Sequence, residues 1–311
     1  MNIYNGVRNT ETIKQADIRG LKFNVNLVAA TVNQDLSGKA NPATTVCDLS
    51  KILVSVILRR SGREKQVVNS NLLILGMESH FQDAGFEFLM PASTQKDITK
   101  TAHGAAAYNA VQIPVKVDFG AVLNIRDNDE LIVDVYVQNG TFGTDVSQST
   151  SYLEVKPIAG IGLEYVTPEV RVVPIKASEN NVQYFAGDNV LSITFVNVNK
   201  TSTAEADLVL SSAKLSSDRI SFVKTFYDLM HERAELTEGG ITNSDYRGQS
   251  VQIHAGEIDQ AQIDLTFTSA NVEASKNFLV IRSFEGDRQV YSRAAAREAK
   301  HRRYDMQKVS R

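Results

Sequence analysis

Three hundred and eleven residues exceed the usual length of one domain and suit two. An apolar share of 42% against 22% charged is globular, and no stretch approaches the roughly 18 uninterrupted apolar residues of a membrane-spanning helix, which excludes an integral helical membrane protein. A single cysteine, Cys47, excludes an intramolecular disulfide, and the net charge of −3 is uneven: residues 288–311 hold eight Lys/Arg and two Asp/Glu, a balance of +6, while the other 25 basic and 34 acidic residues give −9.

The opening residues, Met1 to Arg8, lack the charged head and apolar core of a signal peptide, so no export leader is expected. The long signals then alternate at two residues, as half-buried strands do. Leu21, Phe23, Val25 and Leu27 alternate with polar residues and predict a strand with those four facing a core. Ile52, Val54, Val56 and Leu58 predict a second strand, with Leu53 and Ile57 between them making it more fully buried. Leu131 to Val137 alternates again and is read as closing the first half. Turn residues sit where these runs stop, at Ser61-Gly62, Asp127-Asn128-Asp129 and Asn139-Gly140.

The second half reads as a repeat of the first. The run Val190 to Val198 alternates like the run at Ile52, and Val251-Gln252-Ile253 duplicates Val111-Gln112-Ile113 at a spacing of 140. Val115 to Phe119 is matched with Ile263 to Phe267, and Leu131 to Val137 with Phe278 to Ile281. Ser217 to Met230 reads as a helix capped by Asp218, and Glu78 to Met90 offers it no convincing partner. Two successive β units of about 150 residues, with short strands and polar connections, predict an all-β fold of two tandem jelly-roll sandwiches. The expected division is an N-terminal arm over 1–19, jelly roll 1 over 20–166, jelly roll 2 over 167–284 and a basic C-terminal tail over 285–311, with the joint near Tyr165 to Pro168.

Catalytic and cofactor patterns are not legible. His80, His103, His231, His254 and His301 show no metal spacing, Gly160-Ile-Gly162 is half a dinucleotide fingerprint without a βαβ unit, and no serine stands in a Gly-x-Ser-x-Gly elbow. Cys47 has no basic neighbour and reads as a core residue, and Asp127 to Glu130 reads as a plain turn rather than a calcium loop. The expectation is a non-enzyme with no metal and no cofactor. The basic end is the one local feature with a sign: Arg293, Arg297 and Lys300 share a side of an alanine-rich helix, with Arg302 and Arg303 beyond it, and these five are the candidate contacts for phosphate or lipid headgroups.

An all-β chain built of tandem halves, Gly20 to Gly160 and Glu169 to Ser283, with a charged terminal tail, resembles the double jelly-roll major capsid proteins of tailless, membrane-containing icosahedral bacteriophages, of the corticovirus and finnlakevirus type. The resemblance rests on pattern over nearly the whole chain and not on a signature motif. It implies a homotrimer forming a pseudo-hexagonal capsomer and packed beside neighbouring capsomers. It also implies contact with other capsid proteins such as vertex proteins, and a basic tail facing an internal membrane or the genome. The implied location is the virion, assembled in the host cytoplasm. Asp35 to Thr45 and Phe142 to Ser151 would be outward loops. The rival reading is a non-catalytic β-sandwich that binds carbohydrate or serves as a phage-tail receptor-binding module.

Overall fold

The structure is a computed structural model and describes residues 1–31, 47–79, 99–103, 107–126, 128–160, 166–176, 179–198, 210–229, 232, 250–268, 272 and 274–285. Asp35 to Thr45, Gly162, Tyr165 and residues 286–311 of the basic tail lie outside the described residues.

The first half runs β1 (Asn2–Ile3), β2 (Arg8–Ile13), β3 (Ala16–Val28), β4 (Ile52–Arg60), β5 (Arg63–Asn71), α1 (Leu72–Ser79), β6 (Thr99–His103), β7 (Ala107–Ile125), β8 (Glu130–Val137) and β9 (Tyr152–Ala159). The second runs β10 (Thr167–Pro174), β11 (Asn181–Gly187), β12 (Val190–Asn197), β13 (Leu210–Ser216), β14 (Ser221–Thr225), a helical turn over 226–229, β15 (Ser250–Ile258), β16 (Ala261–Phe267) and β17 (Asn277–Glu285). They form three sheets, ordered β1-β9-β3-β7-β6, β15-β12-β17-β10-β5-β4-β8-β2 and β11-β16-β13-β14.

These orders make two jelly rolls of one topology. In the first, β1-β9-β3-β7 faces β2-β8-β4-β5; in the second, β10-β17-β12-β15 faces β11-β16-β13-β14. Substituting β10 for β1, β11 for β2 and so on, with β15 for β7, turns one description into the other, and among the described residues only β6 has no counterpart. The helix follows the fifth strand in both. Because β5 pairs in parallel with β10 at Val68 and Val170, the two inner sheets fuse into the single eight-stranded sheet.

The alternating runs bury as their spacing predicts. Leu21, Phe23, Val25 and Leu27 are in the core of the first sandwich, and Ile193 and Phe195 in that of the second; each such side chain contributes about 1.5–3 kcal/mol on leaving water. Cys47 is buried in the first core. At Ser61-Gly62 both residues have positive φ, 50° and 75°, the mirror-image turn that suits the twist of the β4–β5 hairpin.

Several sequence expectations fail for physical reasons. Residues 1–19 are no arm, since β1 and β2 are strands of the first jelly roll and Ile3 and Ile18 are core. Leu53 is 41% exposed, because the sheet carrying β4 is covered on one face only there. β9, not β8, closes the first half. Ser221 to Thr225 is strand β14 rather than helix: the Ser217 hydroxyl accepts from Arg219 N and Ile220 N to close the turn before it. The helix starts after Thr225, whose N–H donates to Asp228 Oδ2 at 2.8 Å while its hydroxyl accepts from Asp228 N at 3.2 Å, a reciprocal cap. Its partner is α1, capped by Asn71 Oδ1 on Ile74 N at 3.0 Å, whose last two residues, Glu78 and Ser79, open the segment searched for it.

The constant spacing of 140 also fails, except at the tripeptides. Val111 to Ile113 and Val251 to Ile253 sit on equivalent strands, β7 and β15, in one register: Ile113 pairs with Val25 and Ile253 with Ile193. The run at Ile52 is β4 whereas that at Val190 is β12, the counterpart of β3; the two further matches are likewise one strand out of step. Any one-sided strand alternates, so a pattern matched at fixed offset slips by a strand when the connections differ in length.

Candidate functional site: the junction of the two sandwiches

The helix α1 has the sequence Leu-Leu-Ile-Leu-Gly-Met-Glu-Ser and is apolar all round, as a helix buried between layers must be. Leu72, Leu73, Ile74, Leu75 and Met77 are all buried. So is Glu78, a carboxylate in that apolar run. Strand β17 carries the answering charge: Arg282, 1% exposed, sends Nε and Nη2 to the two oxygens of Glu78 and Nη1 to the carbonyl of Asp118 on β7. Two oxygens met by a planar fork, with the third nitrogen also bonded, is the geometry that offsets the desolvation of a buried pair.

This pair fixes one sandwich to the other. Along β17, Leu279 and Ile281 point into the second core, while Val280 joins the first and Arg282 meets α1. The sheet face of β12, β17 and β15 that looks towards the first sandwich is buried and mixed, with Ser192, Thr194, Gln252 and Arg282 all below 5% exposure beside the apolar Val196 and Val280. At the rim, Lys65 on β5 bridges Glu285 at 2.8 Å and Glu169 at 3.4 Å, and its hydrogen bond and charge hold the Glu285 carboxyl below the usual range. On the open face of the first sandwich, ion pairs run across four strands. Asp134 is held below its ordinary value by hydrogen bonds from Arg8 and Thr10, and Glu130 by Lys14 and then Arg59.

The strand directions give the molecule two unlike ends. At one end the strands are joined across 13–16, 60–63, 125–130, 159–167, 187–190, 216–221 and 258–261; at the other across 3–8, 28–52, 71–107, 137–152, 174–181, 197–210, 225–250 and 267–277. Every two-residue turn is at the first end, and every link of more than seven residues is at the second. Residues 142–151 are at the long end, and β17 delivers the chain to the short end at Glu285. The five tail candidates, Arg293, Arg297, Lys300, Arg302 and Arg303, lie beyond it, outside the described residues. Asp129, from the acidic turn, is held by Arg60 Nε at 2.8 Å, and among the described residues no three His, Cys, Asp or Glu side chains gather as metal ligands. No helix among them is long and apolar enough to cross a membrane.

Sequence reading missed Glu78 and Arg282. The signal was present: a glutamate closing an apolar helix and an arginine inside Phe278-Leu-Val-Ile-Arg282, both costly to bury alone.

No protein-family model and no curated protein sequence matches the chain. Solved structures do. A chain of the Sulfolobus turreted icosahedral virus particle aligns over 91% of this chain and 88% of its own, at 14% identity and a TM-score of 0.56. The crystal structure of that virus's major capsid protein aligns over 91% and 93%, at 13% identity and a TM-score of 0.53. The fold is therefore the double jelly roll of such capsid proteins, reached with almost no shared sequence. The major capsid protein P2 of bacteriophage PM2 aligns over 91% and 93% at 10% identity, with a TM-score of 0.40, too low to weigh.

Proposed function

We propose that the chain is the major capsid protein of an icosahedral virus with an internal membrane, acting as a non-enzymatic tile. The observation that carries this reading is the tandem jelly-roll fold, which aligns with that of a viral major capsid protein along nine-tenths of the chain. Two near-identical units in one rigid chain let three copies approximate six-fold symmetry, which a shell of side-by-side tiles needs. The units are proposed to meet at residues 160–167, and the capsomer to be a homotrimer that contacts neighbouring capsomers and vertex proteins in virions assembled in the host cytoplasm.

The two unlike ends support an orientation. The long links face outward, and the short-turn end, from which the chain runs on to the basic tail, faces phosphate, whether of lipid headgroups or of the genome. Arg293, Arg297, Lys300, Arg302 and Arg303 are the proposed contacts, each contributing on the order of 1 kcal/mol near an anionic surface. Electron microscopy of the concentrated protein should show triangular or hexagonal trimers. A monomer at every concentration, with no particle containing the protein, overturns the reading. Replacing the five tail residues with glutamine should leave the trimer intact and reduce its co-sedimentation with phosphatidylserine vesicles or with nucleic acid at low salt; unchanged binding to both removes the tail's role.

A further inference from the structure

In the first sandwich the sheet β1-β9-β3-β7 turns Phe23, Val25, Val115 and Val155 to the core, so the residues between them face out. Register sets those outward residues in rows across the strands: Gln112, Asn26 and Tyr152 lie opposite one another, then Pro114, Asn24, Glu154 and Asn2, then Lys116, Lys22 and Lys156. The corresponding face of the second sandwich is closed, since Val196 and Val280 on it belong to the first core and Arg282 on it meets α1. On the first sandwich the face carries open side chains. Lys156 is 60% exposed, and Tyr4, whose ring lies 6.0 Å from that of Tyr152, is 44% exposed.

The middle row holds a polar group that the chain leaves unmet. Asn24 is 6% exposed; its amide nitrogen donates to Glu154 Oε2 at 3.0 Å, while its Oδ1 is buried with no hydrogen-bond partner. An orphaned acceptor weakens the fold, and a ligand that donates to it recovers the loss. The neighbouring groups are already tied. Gln112 Nε2 donates to Asn26 Oδ1 at 2.6 Å, Asn26 Nδ2 donates to the main-chain oxygen of Asn24 at 3.1 Å, and Lys156 bridges Glu154 at 2.6 Å. On either side of Asn24 the face changes character. Towards the long-link end stand the two tyrosine rings; towards the other end stand the three lysines, with Lys22 directly between Lys116 and Lys156. Like charges set opposite one another destabilise a sheet, and an anion placed over them relieves that. The tyrosine and lysine rows are four residues apart along β3, about 13 Å at the rise of a strand, which is the reach of a short oligosaccharide.

We propose that this face binds an acidic oligosaccharide. One sugar ring lies against Tyr4 and Tyr152 through its C–H side, a hydroxyl of the next sugar donates to Asn24 Oδ1, and a carboxylate at the far end sits over Lys22. The three rows select this chemistry together. A bare anion leaves the tyrosines unused, a neutral glycan leaves the lysine row unrelieved, and an apolar surface meets neither the lysines nor Asn24 Oδ1. Tyr4 stands at the long-link end, which the capsomer reading turns outward, so the ligand class is the acidic polysaccharide of a cell surface. The site residues do not depend on that reading, which supplies only the direction they face.

The test is calorimetric titration of the full chain with trigalacturonate and with sialyllactose, using maltotriose as the uncharged control. At least one acidic sugar should bind, and maltotriose should bind more weakly. Tyr4→Ala should weaken the acidic sugar about tenfold. Lys22→Gln should weaken it as well and remove most of its salt dependence, leaving maltotriose unchanged. Asn24→Leu, which takes away the unmet acceptor, should abolish binding while the free chain keeps its Tm. Failure of both acidic sugars to bind the parent protein overturns the site and leaves the capsomer reading standing. So does a set of variants that shifts the light-scattering mass without changing the titration, which would make the face a contact between copies.

Discussion

Gln112 and Gln252 hold the same place in the two sandwiches, one donating its amide from β7 to β3 and the other from β15 to β12, yet the first is half open and the second is 4% exposed. The same bond therefore has two different surroundings. Losing a hydrogen bond in a buried setting costs about 1–3 kcal/mol when the partner is left unpaired, whereas at a half-open site water takes the vacancy. Gln252→Ala should lower the urea midpoint clearly, and Gln112→Ala should shift it by less than half as much. Equal losses would mean that burial does not separate the two sites.

The Glu78–Arg282 pair gives a sharper test. Arg282→Met or Glu78→Leu alone leaves a buried charge without its partner and should cost about 3–5 kcal/mol, measured by denaturant unfolding. The double variant, with both charges replaced by apolar side chains, should recover most of that loss. If the two single losses simply add, the groups do not act as a pair.

At the β4–β5 hairpin, Ser61 and Gly62 both adopt left-handed conformations. Gly62→Val places a branched side chain at φ 75° and should destabilise by about 1–2 kcal/mol. Ser61→Asn suits the same turn better and should raise Tm slightly. A scanning-calorimetry series of the two variants decides this.

Acid should loosen the seams between strands and between sandwiches. Asp134, Glu130, Glu154 and Glu285 all have carboxyl pKa values pulled below the ordinary range by basic neighbours, with Asn24 and Thr10 assisting at two of them. A group whose folded pKa is depressed contributes stability that is present above its unfolded value and is lost as pH falls through the folded one. Tm should therefore hold down to about pH 5 and decline below it as these side chains, with unfolded values near 4, take up protons. High salt should flatten the decline, since the pairs are near the surface. A Tm that rises on acidification contradicts the assignment.

What the sequence made legible follows from period. Strands such as β3, with Leu21, Phe23, Val25 and Leu27 inward, announce themselves because one face is dry and the other wet. The tandem design was legible for the same reason. Strand identity was not, since β4 and β12 alternate alike and only hydrogen-bond partners tell them apart. Residues 217–230 misled because Ile220, Val223 and Phe226 fall three apart, although Ile220 and Val223 are exposed while Phe222, Phe226 and Leu229 meet the core. The Glu78–Arg282 pair lay hidden because its members are 204 positions apart, and no local pattern reports a contact of that range.

The placing of every two-residue turn at one end and of the longest links at the other bears on how such a chain can change over generations. Extending a flexible connection costs little, about 0.6 kcal/mol for each doubling of its length. The end at which residues 31–47, 79–99 and 232–250 connect the elements can therefore accept insertions, lose residues or exchange its chemistry while every strand keeps its register. The other end has no such licence, because a residue added between Arg60 and Arg63 or between Ser216 and Ser221 would twist a hairpin out of its pairing. Lineages descended from one such protein should diverge first and furthest at one pole, while the opposite pole and the sheets between them stay recognisable in shape after nearly all identity has gone.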